Sequence, residues 1–200
     1  KYRNLAKKTK ASFCLTSKNL KMDLPKTCTP LVVENVLLST SILTEKFYPS
    51  SINDEFDNSV KNIEETNYQK KINFGKNVLI GDNVSIGSNC SIGHNSIIEK
   101  NVIIGSNCSI GSNVIIRNSL IHNNVKILDN CVIGKHGFGF FPKKDNNLRY
   151  PHIGIVIIED NCEIGCSSTI DRGSMSNTVV GKNTYLDNQI HIAHNVKIGK

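Results

Sequence analysis

The sequence predicts a mainly β protein: a parallel β-helix of hexapeptide repeats carrying a small N-terminal α/β domain. Three observations predict it. From Phe74 onward, aliphatic residues recur at every sixth position. Glycine and asparagine hold fixed places between them. The first 70 residues show neither pattern.

The hexads read FGKNVL, IGDNVS, IGSNCS, IGHNSI, IEKNVI, IGSNCS, IGSNVI and IRNSL, with leads Phe74, Ile80, Ile86, Ile92, Ile98, Ile104, Ile110 and Ile116. Side chains alternate along a strand, so each lead and the small residue two before it (Val78, Val84, Cys90 and their successors) share one face, pointing inward. Glycine follows the lead in six of these eight hexads, and Asn stands three after it in seven. Both residue types accept left-handed backbone angles cheaply and so turn the corners. One hexad makes a side, and three sides, roughly 18 residues, close a triangular coil. The phase slips after Ile116 and resumes at Ile121, Ile127 and Ile133. Residues 134–154, GKHGFGFFPKKDNNLRYPHIG, have no period and read as a long functional loop. The repeat returns at Ile158, Ile164 and Ile170, is interrupted by DRGSMSNT (171–178), and continues through Val180, Leu186, Ile192 and Ile198. Because a solenoid is normally capped, a helix truncated at its C-terminus is expected. Two domains follow: 1–70, and 71–200 with the loop inserted. Within the first, 11–17 and 29–36 read as strands, 37–48 as a helix ended by Pro49, and 50–71 as a polar linker.

The chain has 200 residues, is 38% hydrophobic and lacks Trp, which suits a narrow continuous core. No apolar run is long enough to span a membrane, and no secretory signal pattern opens the chain. The net charge of +7 suits acidic partners. The basic residues are scattered, however, and without interleaved aromatics they give no nucleic-acid platform. Seven cysteines include no C-x-x-C pair, and four of them (Cys90, Cys108, Cys131 and Cys162) fill the small inward slot. They read as small hydrophobes of a reducing compartment rather than as a zinc set.

NQIHIAHNVKIG (188–199) carries His191 and His194. His194 lies two after its lead, a corner position, and His94 in IGHNSI occupies the same place as an internal control. Asp187 and Asn188 put a carboxylate and an amide on the same side of the coil. Such a cluster can hold a sugar hydroxyl or an amine beside a base, but ordinary corner chemistry accounts for it equally well. H-x-x-H without a third ligand gives no metal site.

KHGFGF (135–140), TIDRG (169–173) and DNQ-x-x-IAHNV (187–196), in this order, resemble the UDP-3-O-acylglucosamine N-acyltransferases of lipid A biosynthesis. KYRNLAKKTKAS at the start is similar to that family's uridine-binding segment. The resemblance implies a left-handed helix, an exception to the usual crossover hand, and a cytoplasmic homotrimer with no stable membrane insertion. It implies transfer of a 3-hydroxyacyl chain to the 2-amine of UDP-3-O-acylglucosamine. The donor would be acyl carrier protein bearing phosphopantetheine, with no other cofactor. By the same resemblance His194 is the general base, Asp187 and Asn188 contact the nucleotide sugar, and Tyr2 stacks on uracil. Two further uridine contacts would precede residue 1, and the oxyanion donor would follow residue 200. His191 stands where relatives often have Gln and reads as a neighbour of the base. Rival expectations are an acetyl-CoA-dependent hexapeptide sugar acetyltransferase, a trimeric zinc lyase of the carbonic anhydrase type, and a non-catalytic solenoid with exposed Thr ladders.

Overall fold

The computed structural model describes residues 3–53, 55–68 and 72–199. They form two compact units. One takes the residues up to Ser51 together with Phe140–Pro151, and the other takes Ile52–Gly139 together with His152 onward.

In the first unit, strands Phe13–Thr16 and Thr29–Val32 pair in parallel, Phe13 opposite Thr29. Helix Val36–Phe47 packs on the first of them. The helix starts where the Asn35 side chain accepts the Leu38 amide proton at 2.9 Å, the usual Asn cap. It ends before Pro49, as the sequence predicts. A short helix, Arg3–Ala6, was not expected. Half of the long loop belongs to this unit: Phe140–Phe141 and Leu148–Arg149 form an antiparallel pair, with the Phe141 and Tyr150 rings 5.8 Å apart.

The second unit is a left-handed parallel β-helix. Among the described residues, three sheets of six, seven and six short strands form its sides. Ile92 lies over Ile110, then Ile127, Ile164 and Leu186, so one aliphatic ladder runs through the prism. Most of these isoleucines are 0–2% exposed, and each fully buried side chain contributes about 1.5–3 kcal/mol relative to an exposed one. The phase slip after Ile116 is absorbed by a coil one residue short, with Ile104 pairing with Ile121.

Corner asparagines hold positive φ, from 46° at Asn118 to 64° at Asn195. Many also ladder along the corners, Asn77 Nδ2 donating to Asn95 Oδ1 at 3.0 Å, for example. The small inward slot does more than fill space. The Cys90, Cys108, Cys131 and Cys162 thiols each donate to a backbone carbonyl of the next coil at 3.1 Å. Burial pushes the Cys108 thiol up to about 11, so it remains a protonated donor.

The expected linker does not run free. Lys61–Asn62 pairs antiparallel with Leu79–Ile80, Ile63 is wholly buried in the core, and the Tyr68 hydroxyl donates to the Val84 carbonyl. Its polar composition conceals one residue, Ile63, that closes the prism end. Asp57 and Ser59 accept the corner amides of Lys100 and Asp82 at 2.7 and 3.0 Å. Burial works to raise the Asp57 carboxyl, but the Ser59 and Lys100 amides together hold it below the ordinary carboxylate range.

Candidate functional site

One rule recurs at several corners of the prism. The amide two after a lead donates to a side chain of the adjacent coil. Lys76 donates to His94 Nδ1 at 2.8 Å, Ser106 to Asn123, Ser112 to Asp129 and Cys166 to Asn188. The corner beneath His194 breaks this rule. The strand Val132–Lys135 carries a bulge, with Gly134 at φ +82° and the Arg117 carbonyl oxygen 1.7 Å from where its Cβ would stand. The bulge brings the Lys135 carbonyl to the Arg172 amide at 2.8 Å. Arg172 is the position equivalent to Lys76, so its amide is already engaged and His194 is released from the corner role.

His194 finds a different partner, Asn195. The Asn195 carboxamide is oriented by backbone groups whose roles are fixed. The Ser174 amide can only donate and lies 3.2 Å from Oδ1, while the Ser176 carbonyl can only accept and lies 3.0 Å from Nδ2. The Ser174 hydroxyl adds a bond to Oδ1 at 2.7 Å, and the Asn195 amide donates to Thr178 at 2.9 Å. His194 Nδ1 lies 2.7 Å from the same Oδ1. Facing an acceptor, Nδ1 must carry the proton, which leaves the lone pair on Nε2. This is the tautomer a general base uses. In His94 the bond runs the other way: Nδ1 accepts from an amide, and the proton sits on Nε2.

Further groups hold the His194 ring. The His152 ring packs edge-on against it, with centroids 4.9 Å apart and an angle of 76°. His152 is 1% exposed and lies 5.9 Å from the His136 ring. Gly137, from the KHGFGF motif, is wedged alongside. A Cβ there would stand 2.8 Å from His152 Nε2 and from His194 Cβ and Cδ2. The glycine is thus a close-approach position, not a flexible joint. His191 bonds Thr169 Oγ1 through Nδ1 at 2.8 Å and places Nε2 3.7 Å from the Asp171 carboxylate. The Arg172 guanidinium donates to the Gly154 carbonyl at 2.7 Å. Burial lowers it to about 10, so it remains charged at neutral pH.

Asp187 and Asn188 sit at the opposite end of the same side of the prism, both exposed. Asn188 Oδ1 accepts from Cys166, and Asp187 Oδ1 accepts the Asn188 amide at 2.7 Å. These are corner bonds of the kind the repeat makes elsewhere. Tyr2 lies outside the described residues. Sequence reasoning missed Asn195, His152, Gly137 and Asp171. Asn195 carries no distinguishing signal, since Asn95 follows His94 in the same way. The two interruptions of the hexad, at 134–154 and 171–178, were the legible pointers, because every missed residue lies in them or packs on them. No cluster of three or more His, Cys, Asp or Glu residues able to hold a metal forms among the described residues.

Comparison with known proteins finds similarity in the repeat region. The model of bacterial transferase hexapeptide repeats (six repeats) matches residues 83–118, and that of the hexapeptide repeat of succinyl-transferase matches 155–188. The UDP-3-O-acylglucosamine N-acyltransferase of Rhizobium rhizogenes is 49% identical over 78 residues, 39% of this chain and 22% of the relative. That of Phocaeicola vulgatus is 54% identical over 69 residues, 34% of this chain and 20% of the relative. The matched stretch is thus about a fifth of the length of these curated relatives. Among solved structures, a point mutant of AntD, an N-acyltransferase from Bacillus cereus, aligns with 72% of this chain and 83% of its own. The identity is 21% and the TM-score 0.47. The chain carries hexapeptide repeats of the kind those models describe, and over the matched stretch it is similar to the UDP-3-O-acylglucosamine N-acyltransferases.

Proposed function

We propose that the protein is an N-acyltransferase that moves a 3-hydroxyacyl chain from acyl carrier protein to the 2-amine of UDP-3-O-acylglucosamine, with His194 as general base. The observation that carries the reading is the His194 tautomer: Asn195 holds the proton on Nδ1 and leaves Nε2 able to accept one. The identity of about half with enzymes of that name supports the substrate class.

In the reaction the amine nitrogen attacks the thioester carbonyl carbon. Its surplus proton passes to His194 Nε2, the tetrahedral oxyanion collapses, and the C–S bond breaks. The proton then goes to the departing thiolate. A placed base contributes about 10²–10⁴ in rate, and the oxyanion requires a preorganised donor. Asp187 and Asn188, on the same coil, would bind the nucleotide sugar, with Tyr2 against its uracil. The working form on this reading is a cytoplasmic homotrimer. No helix among the described residues is long and apolar enough to cross a membrane. The net charge of +7 suits an acidic carrier.

The test is N-acyl transfer followed by mass, with UDP-3-O-acylglucosamine and 3-hydroxyacyl carrier protein, for the parent and His194→Ala. Product from the parent with at least about a hundredfold loss in the variant is expected. Equal rates would remove His194 from the chemistry. Product only from acetyl-CoA and another sugar would move the protein to the acetyltransferases.

A further inference from the structure

Asp171 stands at a crowded position of the prism. It follows the lead Ile170, a position held by glycine in many coils because a side chain there meets the adjacent coil. At Gly165, for example, a Cβ would lie 2.4 Å from the Asp187 backbone. Asp171 is only 9% exposed. The register pairs Thr169 with His191 and Ile170 with Ile192, so the next position sets Asp171 against Ala193, two residues after His191 and one before His194. On the other side its register partner is Lys135. Arg172, next in the chain, directs its guanidinium to the Gly154 carbonyl instead.

We propose that Asp171 is the countercharge to His194, a positioning residue that stabilises the imidazolium formed while the base holds the amine proton. The proposal rests on the transferase reading above. When the N–C bond forms, His194 Nε2 gains the proton and becomes cationic until the C–S bond breaks and the sulfur takes that proton. A buried carboxylate lowers the energy of that cation without itself exchanging a proton. It acts more strongly than it would in water because the site is partly desolvated. His191, tied to Thr169 and 3.7 Å from the carboxylate, shares the same charge, and His152 closes the far side of the His194 ring. Burial pushes the Asp171 carboxyl above the ordinary range, and the His191 and His194 charges pull it back down, so carboxylate and imidazoles are electrostatically coupled.

The sign of that shift separates a catalytic purpose from a structural one. A carboxyl raised in the folded state destabilises the fold when ionised, and the penalty is relieved as pH falls through its folded value. Asp171→Asn should therefore melt higher than the parent at neutral pH, with the gap closing in acid. A residue kept for packing would melt lower when replaced. In the transfer assay the same variant should lose roughly tenfold or more in kcat, with KM nearly unchanged. The ratio of parent to variant kcat should narrow as pH falls, because a protonated Asp171 is as neutral as Asn. A ratio constant across pH, or no loss, would overturn the proposal. A second measurement needs no turnover: titration of the Asp171 carboxyl by ¹³C NMR in the parent and in His194→Gln. Its midpoint should rise when His194 is removed, and an unchanged midpoint would also overturn the proposal. If the parent makes no product, the transferase reading fails, and the NMR titration still decides the coupling.

Discussion

His94 and His194 occupy the same place in the repeat, each two after an isoleucine lead and each followed by an asparagine at positive φ. They are chemically opposite. His94 receives the Lys76 amide on Nδ1, while Asn77 Nδ2 donates to the Asn95 side chain in the regular corner ladder. His194 donates from Nδ1 to Asn195, whose carboxamide is seated by Ser174 and Ser176 rather than by another corner asparagine. The difference comes from the coil beneath. There the Gly134 bulge consumes the Arg172 amide, and the insertion 171–178 replaces a plain corner with a serine-lined cradle. On the proposed reading, a histidine is freed to serve as a base by what its neighbours in the next coil have already used.

The widest gap between the two corners should appear on truncation. His194→Ala is expected to lose about a hundredfold or more in kcat, and His94→Ala to stay near the parent rate, both read in the transfer assay. Asn195→Gly comes next. Glycine keeps the left-handed backbone at φ 64° while removing the carboxamide, so a loss of roughly tenfold with KM unchanged would isolate the tautomer effect. An unaffected rate would show that the ring needs no such partner. Gly137→Ala should cost activity by displacing His194 or His152, since its new methyl would stand 2.8 Å from both rings. Activity that recovers with a smaller residue at 152 would locate the clash.

Corner chemistry elsewhere predicts stability effects instead. Asp57 is held below the ordinary carboxylate range, so its contribution is present above the ordinary value and lost as pH falls through its lowered one. Asp57→Asn should melt lower than the parent at neutral pH, and the two should converge in acid. The smallest effect belongs to His94. It is exposed, and replacing it removes one amide acceptor that water can substitute, for a cost under about 1 kcal/mol by denaturant titration.

The prism was legible because its determinants are local. The isoleucine leads, the small inward residues and the corner asparagines each specify a backbone state within six residues. The packing of Ile63 was hidden because one apolar residue in a polar segment has no period. The site was legible only in part. His194, Asp187 and Asn188 stood out through a resemblance of motifs, whereas the roles of Asn195, His152, Gly137 and Asp171 depend on which coil lies against which. Two interruptions of different length set that stacking, and no spacing within a single hexad records it.

The two equivalent histidines are expected to carry their protons on opposite nitrogens. Long-range ¹H–¹⁵N NMR of the imidazoles, at a pH where both are neutral, reads this directly. The expected result is a protonated Nδ1 with a bare Nε2 at His194, and the reverse at His94. The same tautomer at both sites, or a protonated Nε2 at His194, would contradict it.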